Sequence, residues 1–222
     1  PTKIFYFAIA AVYALAPFPA WQLLQWGVPL PLAVLGGVVA SSLVSVLMEL
    51  LTHGPMERKR ASFSAQFIAS LGYYIVIAQV LSALWGNDPK QLRGGVDPIL
   101  EVHGVYFSQS RMILAGGCLV MVAAFFLWLR TTQVGLQFRA LSDNARELAI
   151  RGYNIEALRI TAFALSGILV GVLATLSALD TGFYSYSGLP VFLLAVVAAI
   201  IGGRYSFLGA VIGGILLGVM RA

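Results

Sequence analysis

The chain alternates long apolar runs with short polar interruptions, and the runs have the length a membrane demands. Seven apolar stretches stand out, at 4–16, 29–51, 63–85, 111–129, 160–179, 189–203 and 207–220. A hydrocarbon core of about 30 Å takes about 20 helical residues at 1.5 Å each, and only helices or closed barrels satisfy their own backbone in lipid. The runs show no period-two alternation, which disfavours an outer-membrane barrel, and an all-α, polytopic membrane helix bundle of about seven segments is predicted. The first segment is short before Pro17 and Pro19, and the sixth is short as well. Both are expected to be tilted, broken or re-entrant, which lipid tolerates only where the backbone is buried in protein.

Two polar interruptions are long enough to carry structure. The 86–110 loop contains the turn signals Asn87-Asp88-Pro89, Gly94-Gly95 and Asp97-Pro98, followed by Val102-His103-Gly104-Val105-Tyr106-Phe107, which fits a small hairpin. The Arg130 to Arg159 stretch has five arginines and three acids in thirty positions, whereas Met112 to Leu129 and Ile160 to Leu179 carry no charge. Within it Asn144 and Glu147 have the spacing of a capping box, and Gly152 can end a helix in the left-handed conformation. This predicts a helix of about two turns, Ala145 to Arg151, with Leu148 facing inward and Arg146, Glu147 and Arg151 projecting.

Composition agrees with the periodicity. Of 222 residues 59% are hydrophobic and 10% charged, with mean hydropathy +0.88, against about 25% charged in soluble domains. A net charge of +5 places the basic residues in loops beside apolar spans, where they act as topology signals rather than as a nucleic-acid surface. The stretch around Arg58, Lys59 and Arg60 and the 130–159 stretch together hold eight positive residues, ten with Lys3 and Arg204. The opposite side holds Lys90, Arg93, Arg111 and Arg221, so the positive-inside rule places Pro1 and the 130–159 loop in the cytoplasm and the 86–110 loop outside. The start at Pro1 and the end directly after an apolar run lead to the expectation that the natural protein continues at both ends.

Candidate chemistry is sparse. Cys118 has no partner for a disulfide, and His53 and His103, expected as ordinary loop residues on opposite sides, cannot share a metal. Glu49 and Asp180 stand at the ends of spans, as interfacial residues with water access, and leave no intramembrane charge to carry a proton route. No phosphate loop, nucleophile elbow or zinc-protease motif occurs, so any ATP that drives the protein binds another chain. A membrane-embedded enzyme is disfavoured by the lack of a reactive cluster at one depth. Neither a metal nor a cofactor is expected. Small residues stand four apart at Gly167 and Gly171, Gly209 and Gly213, and Gly214 and Gly218, with Gly202-Gly203 ahead of the last pairs. In lipid such spacing permits close helix contact, within the chain or across a dimer.

Leu136-Gln137-Phe138-Arg139-Ala140-Leu141-Ser142-Asp143-Asn144, then Leu148-Ala149-Ile150-Arg151-Gly152-Tyr153-Asn154, then Thr161-Ala162-Phe163-Ala164-Leu165-Ser166-Gly167 follow one another in a characteristic order. With Ile201-Gly202-Gly203-Arg204-Tyr205-Ser206-Phe207-Leu208-Gly209-Ala210-Val211-Ile212-Gly213-Gly214, this resembles the membrane subunits of the branched-chain amino acid ABC transporter permease family. Gln137 stands where that family commonly has arginine, Arg204 replaces a small or apolar residue, and a lysine common in the sixth segment is absent. The resemblance implies a multi-pass permease of the bacterial cytoplasmic (inner) membrane importing branched-chain or related small amino acids, working with cytoplasmic ATPase subunits, a second permease subunit and an extracytoplasmic substrate-binding protein. It also implies that Asn144, Arg146, Glu147, Leu148, Arg151 and Gly152 form the ATPase-coupling helix. Urea or short amides and simple sugars are alternative cargoes, and an ion-coupled secondary transporter is the alternative class. Residues of the substrate site leave no motif.

Overall fold

The computed structural model describes residues 7–59, 61–93, 99–102, 105–203 and 207–221. It is a helical membrane bundle with one small hairpin. Among the described residues four helices are long and apolar enough to cross a membrane: Leu30–Arg58, Phe63–Trp85, Gln109–Thr131 and Ile155–Asp180. Shorter apolar helices accompany them.

The chain order explains itself from local sequence. Helices α1 (Ile9–Leu15) and α2 (Pro17–Gln25) follow one another through Ala16, which is itself helical. The expected stop at Pro17 does not occur, because proline at the first helical position loses no intrahelical bond. Helix α3 (Leu30–Met48) starts in the same way, with Pro31 in its first turn, and then widens into a π-helical turn at Glu49–His53 before α4 (Gly54–Arg58). The expected end near position 51 is therefore corrected. The π turn, closed by the Gly54 N–H on the Glu49 carbonyl, absorbs Pro55, which would collide with a carbonyl in a regular α-helix.

Helix α5 (Phe63–Trp85) is capped by Ser62, whose hydroxyl accepts from the Ala65 N–H. Strands β1 (Ile99–Val102) and β2 (Val105–Ser108) pair antiparallel with Val102 opposite Val105, which is the expected hairpin. Helices α6 (Gln109–Thr131), α7 (Gln133–Ile150), α8 (Ile155–Asp180), α9 (Gly188–Ile201) and α10 (Phe207–Arg221) complete the order.

Helix α1 is the centre of the bundle and touches α3, α5, α8 and α9. Ala8, Ala10, Ala11, Val12, Ala14 and Ala16 on or beside it are all buried. A short helix survives at this place because protein, not lipid, surrounds its ends, and its alanines let four neighbours approach closely. Helix α6, by contrast, leaves Leu119, Val120 and Leu127 exposed, as suits a lipid-facing helix. At the end where α5 stops, Phe18, Leu81, Leu92 and Phe183 form a core, with Phe18 edge-on to Phe183 at 5.0 Å. Trp85 donates its indole N–H to Gln22 there, and Lys90 and Phe183 exchange two backbone bonds of 2.9 Å.

Candidate functional site: the α7–α8 corner and its seam to α3

The 130–159 stretch folds differently from the sequence expectation. Thr132 is the true cap of α7: its hydroxyl accepts from the Gly135 N–H at 3.2 Å and donates to the Trp128 carbonyl at 2.7 Å. The two-turn helix with Asn144 as its cap is therefore corrected. Asn144 lies inside an 18-residue helix, since no glycine or proline interrupts the chain between Gly135 and Gly152. Gly135 fits against the last turn of α6, where a Cβ would stand 2.2 Å from the Leu129 carbonyl oxygen. The side chains of Asn144 and Arg146 lie outside the described part of the structure.

The end of α7 is as expected. Gly152 has φ +84°, and the Tyr153 N–H bonds back to the Leu148 carbonyl, the six-to-one bond of a Schellman motif. Two residues later Asn154 caps α8, accepting from the Ala157 N–H at 3.1 Å. The two helices thus meet in a corner with both ends capped. Leu148 is buried with Leu141 and Leu158, and Phe138 and Ile155 pack against them. Ile150, Arg151 and Tyr153 are exposed at the corner, and Glu147 is exposed on the same last turns.

Next to the corner lies an ionic cluster that the sequence did not reveal. Arg159, on the second turn of α8, pairs with Glu49 at 2.8 Å and also with Glu57. Both Arg159 and Glu49 are almost fully enclosed, so the expected water access of Glu49 is corrected: its partner is a guanidinium. Breaking such a pair by removing one partner typically costs about 3–5 kcal/mol, because the other charge is left buried. Arg58 and Glu156 form a bidentate pair beside it, at 3.1 and 2.8 Å, but both are exposed, so the pair contributes little. A cavity of about 270 Å³ opens among Glu49, Glu57, Arg58, Glu156 and Arg159. His53 is not a loop residue either: it is buried in the π turn, its ring 5.6 Å from that of Phe163. His103 lies outside the described residues. Asp180, at the other end of α8, pairs with Arg111 at 3.4 Å.

The rest of α8 is zipped to α3. Ser41, Ser42 and Ser45 donate to the carbonyls of Gly167, Ala164 and Phe163 at 2.9, 3.2 and 2.7 Å. Gly167 and Gly171 make room for them, since a Cβ on Gly167 would stand 2.7 Å from the Ser42 Cα and one on Gly171 2.0 Å from the Ser41 hydroxyl. The sequence signal for this seam is the Ser-Ser-x-x-Ser spacing of Ser41, Ser42 and Ser45 on one helical face. In the α9–α10 pair, a Cβ on Gly202 would stand 1.9 Å from the Gly209 carbonyl oxygen and one on Gly213 2.3 Å from that of Ala198. Gly203 takes φ +92° at the intervening turn. Among the described residues Gly214 and Gly218 meet nothing within 4 Å, and they lie on an open side of α10.

A bundle of apolar spans with a capped polar corner at one end defines an integral membrane protein. The family whose sequence model is described as branched-chain amino acid transport system, permease component, matches residues 2–222, and the chain belongs to it. It is accordingly an inner-membrane transport component. No curated protein matches the chain, and no solved structure does.

Proposed function

We propose that the chain is the translocation subunit of an ATP-driven importer of branched-chain or related small amino acids. In this reading it is driven by ATPase subunits in the cytoplasm, paired with a second permease subunit, and loaded by an extracytoplasmic binding protein. The observation that carries the mechanical half is the α7–α8 corner: two capped helix ends locked by a left-handed glycine, with Ile150, Arg151 and Tyr153 outward. An apolar and aromatic knob beside an arginine is the composition of an interface hot spot.

Motion of that corner is carried into the membrane by α8, which the buried Glu49–Arg159 pair and the serine seam bind to α3. ATP-driven closure of the partners would rock this pair against α5 and α1 and switch access. The eight basic residues of the 58–60 and 130–159 stretches put this corner in the cytoplasm by the positive-inside rule.

The test is charge reversal of Arg146 and Arg151 to glutamate in the assembled transporter. Insertion and docking of the loaded binding protein remain, while ATPase attachment weakens by about tenfold or more, with a marked salt dependence. Substrate-stimulated ATP hydrolysis and uptake fall together. Full ATPase binding and full uptake in the double reversal would reduce the corner to a solvated connector.

A further inference from the structure

Helices α3 and α6 both pack on α8, and at the end of the bundle where α3 and α6 begin and α8 stops the three leave a groove of about 450 Å³ between them. Val34 and Leu35 of α3 form one wall, Ile113 of α6 the other, and Leu176 and Leu179 of α8 the floor. The groove closes where α6 meets α8, since a Cβ on Gly117 would stand 2.9 Å from the Leu176 side chain. Along α3 it runs from Leu30 to Leu35, about 7.5 Å at 1.5 Å per residue, or roughly half of one leaflet. Leu35 and Ile113 stay exposed on spanning helices, so the groove opens sideways, toward the bilayer, rather than into the bundle.

The upper end of the groove is cationic. Arg93, from the segment after α5, lines it and is exposed. Arg111 follows the groove residue Ser110 in the first turn of α6, and Asp180 follows the groove residue Leu179 at the end of α8. These two pair at 3.4 Å, so their charges offset each other, as do the opposite dipole ends of α6 and α8 at this level. The guanidinium of Arg93 is the charge left over at the mouth. Its planar fork of donors matches a phosphate group, and it sits where a headgroup sits, above an apolar slot.

The lining also distinguishes a lipid chain from another helix. Helices meet in a bilayer through small residues that let backbones approach, as α3 and α8 do at Gly167 and Gly171. The residues around this groove include neither glycine nor alanine, and most are branched apolar side chains. A flexible hydrocarbon chain fits between such side chains, whereas a helix backbone would be held away by them. The vertical order, hydrocarbon slot below and arginine above, is that of a phospholipid. A zwitterionic headgroup would bring a second cation to this already positive mouth, and an anionic one does not.

We propose that the groove between α3 and α6 holds an acyl chain of an anionic phospholipid, with Arg93 on its phosphate. The site is independent of the cargo. The experiment uses the protein with its co-purifying partners in vesicles of phosphatidylcholine and phosphatidylglycerol, one or the other carrying brominated chains that quench tryptophan on contact. Leu35→Trp places the reporter in the groove, and its emission is read as the difference from the parent protein with Trp21, Trp26, Trp85 and Trp128 alone. Brominated phosphatidylglycerol competes for the reporter about fivefold or more better than brominated phosphatidylcholine, the effect of one arginine near an anionic lipid. Arg93→Gln brings that preference to within about twofold of unity, and Arg93→Lys, which keeps the charge, retains most of it. Ile113→Trp, on the opposite wall, gives the same preference and serves alone if Leu35→Trp does not assemble. Equal quenching by the two lipids overturns the proposal, because the groove then takes any chain of the bilayer. Absence of quenching by either overturns it as well, because protein then covers the groove. A preference that survives Arg93→Gln unchanged removes Arg93 from the site and the proposal with it.

Discussion

At the scale of single residues, the seam between α3 and α8 is where chemistry and packing are hardest to separate. Gly171 lies against the Ser41 hydroxyl, which also donates to the Gly167 carbonyl. Gly171→Ala overfills that contact and costs about 1–3 kcal/mol. Ser41→Ala removes the hydroxyl and costs only about 0.6 kcal/mol, the typical worth of a hydrogen bond between membrane helices. The double variant recovers at least about 0.5 kcal/mol of the sum, because the smaller side chain makes space for the new methyl. Detergent-titrated unfolding of the four proteins measures this. Strict additivity would show that the two residues do not meet. The glycines were visible in the sequence as four-apart pairs, whereas Glu49 and Arg159 were not: they stand 110 positions apart, and no local pattern pairs them.

At the scale of elements, the boundaries of α7 and α8 separate two readings of one polar stretch. Asn154 accepts from the Ala157 N–H, so Asn154→Ala costs about 0.5–2 kcal/mol as the loss of a real cap. Asn144 sits in the interior of α7, so Asn144→Ala is neutral or stabilising by up to about 0.7 kcal/mol on helix propensity. Thermal unfolding of the two purified variants distinguishes them, and a larger loss at Asn144 would restore the short helix. The capping-box spacing misled because a cap signal inside a stretch without breakers yields to a helix already propagating from Thr132. The left-handed end at Gly152 was readable, because glycine after the last apolar position needs no tertiary support.

At the scale of the whole molecule, the Arg58–Glu156 contact marks the end of α4 and the start of α8 as neighbours at one end of the bundle, while α5 carries the chain from that end to the other. Cysteines in place of the exposed Lys59 and Arg151 are therefore labelled from one side of the membrane and a cysteine in place of Asn87 from the other. In right-side-out vesicles of a Cys118→Ser background, an impermeant reagent reaches only the Asn87 position, as the positive-inside rule requires. Labelling of Asn87 and Arg151 from the same side would break the arrangement, and labelling of Lys59 and Arg151 from outside would invert it.

Run lengths and composition alone determined that this is a helical membrane protein, where its long spans lie, that a hairpin follows α5 and that a glycine turn follows α7. Each of these follows from a local rule: a bilayer needs a set length of apolar helix, and a turn needs residues that accept its dihedral angles. Tertiary structure decided the rest. It made the shortest apolar segment, α1, the centre of the bundle, enclosed Glu49 with Arg159, split the α10 glycines between a packed side at Gly213 and an open one at Gly214 and Gly218, and set Gly188 at the start of α9 against Ala10. In an apolar sequence every face of a helix reads alike, so which face meets protein and which meets lipid is settled only by the neighbours that the fold brings to it.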